Sequence, residues 1–182
     1  MDRQTFTTNH EILMSSIATQ NYLKRPLPTF QKWFNLGDPT FRPTVDLNGA
    51  MAILDRDALQ VDDLLSSGLL IAFNIAVERD ARRELRFLCA SLDHFKNTGK
   101  AQGLEFATIL RFLLPHDKPI LTNGEIQRAL NCSSEIVIDL VNADELELVP
   151  KTTFRRGHGG EAVITAQSFS EFIGERQVGE SI

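Results

Sequence analysis

The stretch Leu121-Thr122-Asn123-Gly124-Glu125-Ile126-Gln127-Arg128-Ala129-Leu130-Asn131-Cys132-Ser133-Ser134 decides how the rest of the chain is read. Thr122 and Glu125 stand at capping-box spacing, where hydroxyl and carboxylate each satisfy a backbone N–H at a helix start. Residues 126–130 continue that helix, 131–134 make a turn of small and polar residues, and a second helix is expected over 135–143. Its Ile136, Val137, Leu140 and Val141 fall on one apolar face. A hairpin is expected next, from 149–154 and 162–165, around the tip Arg155-Arg156-Gly157-His158-Gly159-Gly160. Residues 168–173 close the unit.

The same order occurs upstream. Shifted by 76 positions, as from Leu70 to Leu146, Phe30 lies over Phe106, Pro39 over Pro115, and Pro43 over Pro119. Leu54 lies over Leu130, Val61 over Val137, and Asp63-Leu64 over Asp139-Leu140. One inserted residue later, Ser91-Leu92-Asp93-His94-Phe95 lies over Ser168-Phe169-Ser170-Glu171-Phe172. The first unit therefore reads as a short helix over 50–54, a break at Asp55-Arg56-Asp57, and a second helix carrying Leu59, Val61, Leu64 and Leu65. Gly68 suits the left-handed residue that ends such a helix. Two apolar runs, 69–77 and 85–90, make a hairpin with the charged tip 78–83, and Ser91 is expected to cap a closing helix through Phe95. The expected fold is mainly α with small β-hairpins, an α+β chain built from an internal duplication.

Each unit resembles the MerR and excisionase-like winged helix-turn-helix family. The resemblance rests on 121–134, on Leu65-Ser66-Ser67-Gly68-Leu69-Leu70, and on Val141-Asn142-Ala143-Asp144-Glu145-Leu146, where Asp replaces the glycine. It covers about residues 45–95 and 121–173. It implies two tandem winged helix-turn-helix units, double-stranded DNA as partner, and Arg-rich wings at 79–86 and 155–160. The expected organisation is an N-terminal helical extension over 1–27, unit one over 28–96, a linker over 97–103, unit two over 104–174, and a tail over 175–182.

The candidate DNA contacts are Arg79, Arg82, Arg83 and Arg86 of the first wing and Lys151, Arg155, Arg156 and His158 of the second, with Gln60, Ser133 and Ser134 on the helices. The second wing carries the stronger signal. Only Glu161 stands near its bases, and its glycines let the backbone approach a phosphate. The first wing mixes its arginines with Glu78, Asp80 and Glu84. The recognition-helix positions depart from the family: Asp57, Asp62 and Asp63 in one unit, and Glu135, Asp139 and Asp144 in the other, with no Arg or Lys. Carboxylates repel phosphates, so the wings are expected to carry DNA contacts through phosphate and the minor groove. A transcriptional regulator or an excisionase-like architectural factor fits this pattern. The alternative is a protein-interaction or DNA-mimicking module that uses the acidic helix surfaces.

Composition bounds these readings. The chain has 182 residues, 42% apolar and 24% charged, which is enough for a core. Nineteen Lys and Arg against 24 Asp and Glu give a net charge of −5, so any nucleic-acid binding must be local. Cys89 and Cys132 are too few for a disulfide framework, and no run resembles a signal peptide or a membrane span; a cytoplasmic protein is expected. His10, His94, His116 and His158 are scattered, no Gly-rich phosphate loop follows a strand, and Cys132 reads as a small turn residue. No enzyme, metal or cofactor is expected. The helix expected over 104–114 is apolar nearly all round, which implies burial between the units or against a protein partner or second copy.

Overall fold

Pro43 and Pro119 each precede a strand, and each carbonyl accepts the N–H that opens a later helix. In the computed structural model, which describes residues 42–78, 80, 83–114, 117–149 and 163–179, Cys89 N–H donates to Pro43 O at 2.9 Å and Ala166 N–H donates to Pro119 O at 3.0 Å. The elements run β1 (Thr44–Val45), α1 (Leu47–Leu54), α2 (Ala58–Ser66), β2 (Ala72–Asn74), β3 (Leu85–Leu88), α3 (Cys89–Thr98) and α4 (Phe106–Leu113). They continue as β4 (Ile120–Thr122), α5 (Asn123–Leu130), α6 (Ser134–Asn142), β5 (Val163–Thr165), α7 (Ala166–Arg176) and β6 (Gln177–Val178). The chain is a mixed α/β structure with small antiparallel sheets, consistent with the α+β expectation. No helix among the described residues is long and apolar enough to cross a membrane.

One sheet has the order β1-β3-β2-β6 and the other pairs β4 with β5. Leu148 adds an isolated antiparallel bridge to Ile164. In the first sheet Val45 faces Phe87 and Ala72 faces Phe87 across the ladders, while Phe73 stands opposite Arg86. Strand side chains alternate between faces, and here the two faces serve different cores. Ala72 and Phe87 pack with Val45, Ile53, Val61, Leu65 and Leu92. Phe73 and Leu88 pack instead with Ile109, Leu121, Ile126, Leu140, Ile164 and Phe169 of the second half. The sheet of the first half is thus a shared wall. A charged lock reinforces it: Arg176, 2% exposed, donates to Asn74 O at 3.3 Å and Ala76 O at 2.6 Å. Its Nη2 lies 2.6 Å from Glu145 Oε1, an ion pair without hydrogen-bond alignment.

Three details differ from the sequence reading. The helix expected over 104–114 runs over Phe106–Leu113, and within this chain it is buried on one side only: Ile109, Phe112 and Leu113 are buried, whereas Phe106 is 39% exposed and Arg111 faces solvent. Ser91 does not start its helix. Leu88 is the N-cap residue and makes no side-chain cap, while Ser91 sits inside the first turn with its hydroxyl turned back on Leu88 O at 3.0 Å. Residues 177–178, placed by sequence in the C-terminal tail, pair as β6 with Ala72 and Phe73.

Candidate nucleic-acid interface

The corners between α1 and α2 and between α5 and α6 are built by the same backbone device. α1 ends on Asp55 at φ 53° and α5 ends on Asn131 at φ 46°, left-handed positions that Asp and Asn tolerate better than most side chains. The following helices then start on Asp57, which closes a capping box with Gln60, and on Ser133. The Thr122–Glu125 capping box forms as the spacing predicts. Lys118 Nζ lies 2.7 Å from Glu125 Oε1. Although partial burial works in the opposite direction, this ammonium and the Thr122 N–H hold the Glu125 carboxyl below the usual range.

The ends of α2 and α6 match as closely. Gly68 has φ 68° and Asp144, the residue standing in for glycine, has φ 58°. Leu69 N–H donates to Leu64 O at 3.0 Å, and Glu145 N–H donates to Leu140 O at 2.9 Å. These bonds close both helices in the manner of a Schellman motif.

The candidate contacts divide sharply by environment. Gln60 is exposed but accepts the Asp57 N–H at 3.1 Å, so its carbonyl is committed to the cap. Ser133 is exposed; Ser134 is half-buried and accepts from Asn123 Nδ2 at 2.8 Å. Arg83 is exposed and lies 3.1 Å from Asp62 on α2. Arg86 is buried at 8% exposure. Its Nε donates to Leu130 O at 2.9 Å and Asn131 O at 3.2 Å, and its Nη2 meets Glu84 at 3.0 Å. That guanidinium fastens the first hairpin onto the corner between α5 and α6. Arg79, Arg82, Lys151, Arg155, Arg156 and His158 lie outside the described residues.

α2 and α6 present carboxylates to solvent, Asp63 on one and Glu135 and Asp139 on the other. Glu135 is held below the usual carboxylate range by its own backbone N–H and by the Ser133 hydroxyl, so it remains charged at the start of α6. A cleft of about 360 Å³ beside the end of α6 is lined by Asp144, Glu145, Glu147, Glu171 and Glu175. A groove of about 590 Å³ runs between α6 and the first hairpin and also carries carboxylates. Sequence reading identified the acidic helix positions but not this groove, because nothing in a linear pattern places Glu78 and Glu84 opposite Asp139. Burial raises the Cys132 thiol to about 11, with Arg86 pulling down and Glu84 pushing up, so it stays protonated at neutral pH. No protein-family model, curated protein or solved structure matches this chain.

Proposed function

We propose that the chain is a duplicated winged helix-turn-helix protein that binds double-stranded DNA, with its contacts concentrated on the second wing. The observation that carries this reading is the pairing of positive-φ corners at one constant offset, Asp55 with Asn131 and Gly68 with Asp144, each 76 positions apart. Further support comes from strands β3 and β5, which each run directly into a closing helix. A corner and a second helix that recur in this way support the arrangement by which helix-turn-helix proteins cover two half-sites. A regulator of transcription or an architectural factor of the excisionase kind would use such a frame.

The environment of the basic residues narrows where DNA would lie. Arg83 and Arg86 are engaged by Asp62, Glu84 and backbone carbonyls, and α2 and α6 present carboxylates. Of the candidate bases, Arg79 and Arg82 of the first wing and Lys151, Arg155, Arg156 and His158 of the second remain for phosphate, and the second set has only Glu161 near it in the sequence. Fluorescence anisotropy of the full chain with a labelled random-sequence duplex at low salt tests the reading. Saturable binding that weakens steeply with added salt supports it. Absence of binding at low salt overturns it.

A further inference from the structure

The groove between the first hairpin and α6 has an apolar floor and an acidic rim. Ile75, Val77 and Ile136 supply the floor, and Glu78, Glu84 and Asp139 supply the rim. Ile136, Asp139 and Ala143 recur at three- and four-residue spacing, so they share one face of α6. Arg86 answers Glu84 at 3.0 Å from within the fold. Among the described residues, Glu78 and Asp139 make no ion pair. Among the described residues, the lining holds no cation.

We propose that this groove docks an extended segment of a partner protein in which arginine or lysine flanks an apolar side chain. The charge on the rim selects a cationic occupant and repels nucleic-acid phosphate. The apolar floor rewards burial of a side chain between the flanking bases. About 590 Å³ falls in the size range of ligand clefts, and carboxylates contributed by both the hairpin and α6 suit a chain with bases on either side of an apolar side chain. The proposal is separate from the DNA reading, since it is argued from Glu78, Glu84 and Asp139 and from none of the second-wing bases.

The test uses the full chain and a fluorescein-labelled glycine–serine peptide with Arg-Leu-Arg-Leu-Arg at its centre, followed by anisotropy at low salt. The Glu78→Gln/Asp139→Asn double variant should weaken binding about tenfold or more, the scale of losing charge-assisted hydrogen bonds. Ala143→Arg, which places a cation in the groove, should abolish it. Glu171→Gln/Glu175→Gln removes the same charge from the other acidic cleft and should leave affinity within about twofold. Arg155→Ala/Arg156→Ala, the variant that reports on DNA, should bind the peptide as the parent does. The proposal is overturned if both acid-to-amide pairs weaken binding equally, if a peptide with serine in place of leucine binds as tightly, if the Arg155/Arg156 variant loses the peptide, or if no saturable binding occurs.

Discussion

Ser91 and Ser168 make the same pair of hydrogen bonds in the two halves of the chain. Ser91 accepts the Ile71 N–H at 3.1 Å and donates to Leu88 O at 3.0 Å. Ser168 accepts the Glu147 N–H at 3.0 Å and donates to Thr165 O at 3.0 Å. Each hydroxyl ties the entry of a hairpin to the first turn of the closing helix. Both serines are buried. Ser91→Ala and Ser168→Ala should therefore each cost about 1–3 kcal/mol, the penalty for stranding a buried donor. Urea denaturation measures it, and a loss in only one half would break the equivalence.

Left-handed backbone gives a second, opposite-signed comparison. Gly68→Ala adds a side chain at φ 68° and should destabilise by roughly 1 kcal/mol. Asp144→Gly relieves the same conformation at φ 58° and should stabilise by several tenths of a kcal/mol or more. Thermal melts of the two variants should shift in opposite directions.

The Thr122–Glu125 cap and the Gly68 stop were legible because each is a local signal: paired side chains at a fixed spacing and a residue with special backbone freedom. The shared wall was not. Ala72-Phe73-Asn74 and Leu85-Arg86-Phe87-Leu88 are too short for their alternation to say that both faces are covered. Nor does a sequence distinguish a wing arginine that faces solvent from Arg86, which turns inward to carbonyls 44 and 45 residues away. Gln177–Val178 carries too little apolar pattern to read as the strand that completes the sheet. The acidic positions of the helices were legible in the sequence, while the groove joining parts of both halves depended on their packing.

Arg83 and Arg86 should differ sharply in what they contribute to stability. Arg86→Ala removes a buried cation from Glu84 and from two carbonyls, and should cost about 3–5 kcal/mol. Arg83→Ala breaks an exposed pair and should change stability by less than about 1 kcal/mol. Chemical denaturation of both variants checks the contrast. Equal effects would place Arg86 outside the fold's interior.

Acid should reveal the Glu125 contact. Its folded carboxyl lies below the usual value, so the unfolded chain binds a proton more readily than the folded one. The associated stability is present above the ordinary glutamate pKa of about 4.3 and is lost as pH falls through the lower folded value. Glu125→Gln should be less stable than the parent near neutral pH, and the gap should narrow as pH falls from about 5 toward 2. A gap that is independent of pH would remove the carboxylate–Lys118 contact as its source.

The salt dependence of duplex-DNA binding by the parent and by Arg155→Ala/Arg156→Ala tests the central claim most directly. Each phosphate contact contributes about 0.9 to the slope of log affinity against log salt. With DNA held by the second wing, the double variant should bind more weakly and its slope should flatten by up to about 1.8. An unchanged affinity and slope in that variant would contradict the account.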